Sequence, residues 1–169
     1  RIHISQLSKT LIASTALSLA GFAAAADALT SEFSFRVVET NAEGEEVLVE
    51  RETIRPGEVI SYELRHQNTT EGAMEGLVIA APVPDGVSLA LGAEVTSVAA
   101  VFEVQAETDP EQEGLEWSTV PATRKVVDAN GNMIEEPLPE EAVAAVRWTL
   151  SEPLEAGDSA FNSYRVRLN

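Results

Sequence analysis

Apolar and polar residues alternate with a period of two along most of this chain beyond residue 30, the pattern of strands with one covered face. FSFRVVET (33–40) sets Phe33, Phe35 and Val37 on one side. The polar NAEGEE (41–46) reads as a turn and EVLVERETI (46–54) as the returning strand, so the spacing predicts a hairpin. RPG (55–57) breaks the pattern. EVISYELRHQN (58–68) then places Ile60, Tyr62, Leu64 and His66 on one face, with Ser61, Glu63, Arg65 and Gln67 on the other. A polar stretch leads to the apolar LVIAAPVP (77–84), which closes in a Pro- and Gly-containing turn.

The second half repeats the grammar. VSLALG (87–92) and EVTSVAAVFEVQAE (94–107) are strand-like, TDPEQEG (108–114) is an acidic loop, and LEWSTV (115–120) is a further strand. RKVVDANGNMIEE (124–136) is a hairpin whose Asn130-Gly131 predicts a type I′ turn. PLPEEA (137–142) reads as a loop or one helical turn. AVRWTL (145–150) puts Val146, Trp148 and Leu150 opposite Arg147 and Thr149. SAFNSYRVRLN (159–169) puts Tyr164, Val166 and Leu168 opposite Arg165 and Arg167. Eight to ten short strands, each apolar on one face, bury those faces by pairing two sheets. The expectation is one all-β domain over residues 27–169, an Ig-like antiparallel β-sandwich.

The first 26 residues differ. Arg1, His3 and Lys9 give a basic start, no acid precedes Asp27, and Thr10 to Ala26 is apolar or small. Two A-x-A sites follow, Ala24-Ala25-Ala26 and Ala26-Asp27-Ala28. This is the layout of a secretory signal peptide, a hydrophobic helix removed on export. The alternative is a retained helix, since ~17 such residues approach the ~20 of a membrane span. Export predicts a secreted, cell-surface or periplasmic protein, with no membrane attachment once the segment is gone.

Charge narrows the partners. The chain has 11 Lys+Arg against 28 Asp+Glu, a net charge of −17. Such a surface repels phosphate backbones, so nucleic acid is not an expected partner. With hydrophobic residues at 44%, the chain is nonetheless a folding sequence rather than an acidic tail. It has no cysteine, which excludes disulfides and thiolate metal sites.

Candidate chemistry is sparse. Asp128, Asn130 and Asn132 carry oxygens at the i, i+2, i+4 spacing of Ca²⁺ loops, but Gly131 and Pro139 stand where such a loop needs other residues. A turn explains the same residues, and weak Ca²⁺ binding is the only cofactor reading. Acidic runs at Glu43/Glu45/Glu46, Asp109/Glu111/Glu113 and Glu135/Glu136/Glu140/Glu141 read as solvated loops. His66 has no partnered nucleophile in the sequence, so no catalytic residue is assigned and no enzyme is expected. Asn68-Thr69-Thr70 matches a glycosylation sequon and also an ordinary polar turn. Trp117 and Trp148 are expected as core or inter-sheet anchors.

The run RPGEVISYELRHQNTTEGAMEGLVIAAPVPDGV (55–87) resembles the Ig-like extracellular "conserved repeat domain", a family of unknown function in bacterial and archaeal surface proteins. Pro56-Gly57, Tyr62, Asn68, and Pro82/Pro84 with Gly86 carry the likeness. VRWTLSEPLEAGDSAFNSYRVRL (146–168) is similar to a proteobacterial variant, although LEWSTV lacks the Gly pair found there. The resemblance implies a secreted structural sandwich with no catalytic residues. One small module gives no reach as a lone stalk, and sheet edges pair. The functional expectation is therefore a self-associating subunit of an extracellular filament or matrix. Its partners would be further copies or surface-matrix proteins, and residues 27–40, with Phe33, Phe35 and Val37, would serve as a donor-like assembly strand. The alternative is an extracellular or periplasmic binding module that holds carbohydrate, Ca²⁺ or a partner protein through its acidic loops.

Overall fold

Strands that are apolar on one side must find a second apolar layer, and the computed structural model, which describes residues 28–169, builds that layer from the same chain. The expected signal helix at 1–26 lies outside the described residues. Eleven strands form: β1 Leu29–Thr40, β2 Glu46–Val49, β3 Val59–Asn68, β4 Val78–Pro82, β5 Val87–Thr96, β6 Ala100–Ala106, β7 Glu116–Thr119, β8 Thr123–Val127, β9 Met133–Pro137, β10 Ala145–Leu150 and β11 Ser159–Leu168. One 3-10 turn, Glu140–Ala142, interrupts them. A five-stranded sheet runs β2-β1-β3-β11-β5, a four-stranded sheet runs β4-β10-β6-β7, and β8-β9 stands as a two-stranded ribbon. Every pairing between these strands is antiparallel.

The alternation of the sequence decides the faces. Val146, Trp148 and Leu150 on β10 are buried against Tyr164 and Val166 on β11, with Ile60 and Leu64 of β3 and Leu89 of β5 filling around them. Trp148 is 1% exposed, and its ring lies 6.1 Å from that of Tyr164 across the two sheets. The Tyr164 hydroxyl donates to the Pro82 carbonyl at 2.8 Å, so the phenol's polar end is satisfied inside the core. Arg147, Arg165 and Arg167 point the other way. Arg147 meets Glu103 at 2.7 Å, Arg165 meets Glu46 at 3.0 Å, and Arg167 donates to the Gly57 carbonyl.

Several boundaries depart from the sequence expectation. The returning arm of the first hairpin ends at Val49, because residues beyond it leave the sheet edge to reach β3. The expected break after residue 92 is a bulge instead. Gly92 adopts φ +84°, while β11 pairs with Ala90 before it and Val95 after it. The true break falls at 97–99, where the chain crosses to the other sheet. Around Asn130-Gly131 the turn is not type I′. Gly131 N–H donates to the Asp128 carbonyl and Asp128 N–H to the Asn132 carbonyl, so Ala129 and Asn130 are the central residues. Gly131 follows them at φ +82°, the three-residue hairpin loop with a glycine bulge.

Candidate interaction site

β1 is two different strands in one. Its C-terminal part, Val37 to Thr40, pairs with β2 on one side, and β3 flanks Val37 and Val38 on the other. Its N-terminal part, 29–36, pairs with β3 alone. Which backbone groups that leaves open follows from two hydrogen bonds. Asn41 N–H donates to the Glu45 carbonyl, so odd-numbered residues of β1 turn their amides toward the β2 side. The Ala28 carbonyl accepts from Thr69 N–H, so even-numbered ones face β3. The peptide groups of Ser31, Phe33 and Phe35 therefore point outward from the sheet, where no strand pairs with them among the described residues.

The side chains beside that edge are also uncovered. Phe33 is 59% and Phe35 44% exposed, whereas Val37, on the same face, is 0% exposed. The reason is an offset between the two sheets. Trp148 against Tyr164 sets β10 over β11, and the short crossing at 97–99 sets β6 over β5. β4, the neighbour of β10 on its other side, then falls over β3. Nothing in the four-stranded sheet remains to lie over β1 and β2. At the lower end the segment after β2 does the covering, with Ile54 against the core margin and Arg51 held by Glu39 at 2.9 Å and Glu58 at 2.7 Å. Val37 is buried at this end and Phe35 is not. An open recess of about 420 Å³ remains, lined by Phe35, Glu50, Arg51 and Glu52.

The overhang is aromatic and self-supporting. Phe33 stacks on Tyr62 at 5.4 Å, Phe35 meets the same ring edge-on at 6.4 Å, and Tyr62 leans on Tyr164 at 5.3 Å. Tyr62 thereby links the exposed flank to the core, and its partial burial raises its pKa. On the opposite face of the same strands, Arg36 binds the Glu63 carboxylate, which Ser34 also contacts, and the ion pair raises the guanidinium pKa.

The other sequence candidates are accounted for by local structure. Asp128 Oδ1 accepts from the backbone amides of Asn130 at 2.8 Å and Asn132 at 2.9 Å, so this carboxylate closes the hairpin loop. Asp109 binds Lys125 Nζ at 2.9 Å and Glu111 N–H at 3.0 Å, and the lysine contact foremost lowers its pKa. No three His, Asp or Glu side chains converge among the described residues. His66 is half-buried beside Ser31 in register, its Nδ1 meets no protein partner, and burial lowers its pKa.

Two side chains change role. Asn68, the sequon asparagine, is 0% exposed. Its Nδ2 donates to the Gly72 and Leu154 carbonyls, both at 2.8 Å, and its Oδ1 accepts from Thr70 N–H. It ties two loops together and presents no nitrogen to a glycan in the folded chain. Trp117 is not a core anchor. It pairs with Gln105 on the outer face, where the Arg147 guanidinium sits 4.3 Å from its ring centre.

The fold is thus an antiparallel all-β sandwich whose larger sheet extends past the smaller. No family model matches the chain, and neither the curated proteins nor the solved structures contain a significant match.

Proposed function

We propose that this chain is an exported, non-enzymatic structural protein of Ig-like type that works by associating with copies of itself through the β1–β2 flank. The observation that carries the reading is the coincidence on one strand of three peptide groups unpaired among the described residues and two exposed phenylalanines. Open strand edges next to apolar side chains are normally shielded by charge, proline or a covering segment. Here the open stretch 29–36 carries two charges, Glu32 and Arg36, both on the face opposite Phe33 and Phe35. The leader-like residues 1–26 support export, and the crossings between sheets at 69–77, 97–99 and 151–158 support the Ig-like arrangement.

The donor-strand expectation takes a narrower form. Residues 29–38 are matched to β3 over ten positions, so β1 is already paired within its own sheet; it forms the sheet edge only over 29–36, beyond the reach of β2, and offers a flank, not a free tail. Expressing the full chain in an exporting host tests the reading. The expected product is extracellular, begins at Asp27 or Leu29, and forms larger species as salt rises from 0.01 M to 0.15 M, where the Debye length falls from ~30 to ~8 Å. Intracellular retention, or particles of single-subunit size in electron micrographs at every salt concentration, would contradict it.

A further inference from the structure

An asparagine amide offers two N–H donors and an acceptor oxygen, and inside a core each of them needs a partner. Asn162 of β11 is 0% exposed, yet neither its Oδ1 nor its Nδ2 meets a hydrogen-bonding partner among the described residues. We infer that the core binds one structural water at this point, held by the Asn162 amide and bridging it to His66 Nδ1.

The fold decides where the amide points. Ala160, Asn162, Tyr164 and Val166 alternate along β11 and are all buried, so Asn162 shares the face that carries Tyr164 into the core. Trp148 lies against Tyr164, and 151–158 joins the end of β10 to the start of β11. One pleat from that aromatic pair toward the connection, Leu150 therefore lies over Asn162. An amide set against a leucine gives up its contacts with bulk water and gains nothing polar in exchange, a cost that native cores rarely leave uncompensated.

The other polar side chains nearby are committed. β5 sets Thr96 beside Asn162, but the Thr96 hydroxyl donates to the Val98 carbonyl at 3.1 Å. Asn68, further along β3, uses its amide on Gly72, Leu154 and Thr70. His66 is different, since its Nδ1 is buried and equally without a partner among the described residues. β3 pairs Leu64 with Asn162 and His66 with Ala160, which makes His66 a diagonal neighbour of Asn162 on the same face. Diagonal positions stand about 7–8 Å apart, a span that two side chains close with one water between them. Ala160, opposite His66, is fully buried and adds only a methyl group to the space beside them.

One water suits both groups. It accepts from the Asn162 Nδ2–H, donates one hydrogen to Oδ1 and donates the other to Nδ1 of a neutral imidazole, about the three bonds that an internal water makes. Burial favours that neutral ring by lowering the His66 pKa. The bridge then joins β11 to β3 across a pair of positions that the backbone ladder links only at its edges.

The water is detectable in the wild-type full chain. With nitrogen-15 in the asparagine side chains, the Asn162 amide protons should give a direct rotating-frame cross-peak to water. Oxygen-17 relaxation dispersion should count one more long-lived water in wild type than in Asn162→Leu, whose side chain has a similar volume and no polar atom. Amide protons that contact protein protons alone would overturn the inference, and so would a leucine variant that keeps the full count of long-lived waters. His66→Phe removes the second anchor and should weaken the amide–water cross-peak. An undiminished peak in that variant would overturn the bridge to His66. The wild-type cross-peak decides the presence of the water whether or not either variant folds.

Discussion

The two flanks of β3 show how one sheet can be both core and surface. On one side β3 pairs with β11, and Trp148 covers Tyr164 of that strand. On the other it pairs with β1, and Phe33 and Phe35 of the same face meet no second sheet among the described residues. The sequence pattern is the same on both sides, alternate large apolar residues with polar ones between. What differs is the number of strands in the opposing layer. Period-two alternation therefore marks the face turned toward the partner sheet, and the width of that sheet decides whether burial follows.

The comparison is broken most sharply by truncating an aromatic on each flank. Trp148→Ala should destabilise the fold by about 3–5 kcal/mol, as for a large core side chain replaced by a cavity. Phe33→Ala, measured in the same urea titrations on dilute monomer, should cost about 1 kcal/mol or less, since it removes only the stacking on Tyr62. Similar losses at the two positions would mean that the β1 flank is covered after all. Next in size is Asn68→Ala, which removes one of two donors to each of the Gly72 and Leu154 carbonyls and leaves the Thr70 amide without its acceptor. The expected loss is about 1–3 kcal/mol, with faster hydrogen exchange at residues 68–74.

A smaller effect concerns His66, at the boundary between the flanks. Its folded pKa lies below the unfolded value of about 6.5, so between the two the unfolded chain holds the extra proton. The stabilisation is complete above pH ~6.5 and is lost as pH falls below it toward the folded pKa. His66→Phe should flatten the dependence of the urea midpoint on pH in that window relative to wild type. The fall associated with Asp109, whose pKa is lowered from 3.8, should remain at more acid pH. Least of all, Arg167→Ala should change stability by about 1 kcal/mol or less, because its contact with the Gly57 carbonyl is exposed.

Much of this architecture is legible in the chain itself. The strand faces around Trp148, Tyr164 and Val166 follow from alternation, and the hairpin at residues 124–136 from Asn130-Gly131. Phe33, Phe35 and Val37 share a face in the sequence and in the fold, yet alternation does not tell that only Val37 is covered. The pattern also carries the returning strand on to Ile54, whereas the chain leaves the sheet after Val49. The same logic places Tyr62 in the core, and the offset of the sheets leaves it at the margin. Asn68 and Trp117 are ambiguous for another reason. A local motif does not report the distant carbonyl of Leu154 or the Arg147 guanidinium that gives each its role. Gly92 reads as a terminator because the sequence does not show that β11 resumes pairing beyond it.

Sedimentation equilibrium of wild type beside the Phe33→Glu/Phe35→Glu double variant, over a wide concentration range at two salt concentrations, tests the central claim most directly. Salt should range from about 0.15 M, where the Debye length is ~8 Å, to well above it. Two carboxylates placed on each overhang would oppose those of the partner while leaving the covered core untouched. The account predicts a concentration-dependent dimer for wild type, strengthened by salt, and a folded monomer for the double variant. A wild-type chain that remains monomeric at the highest concentration, or a double variant that associates as well as wild type, would contradict it.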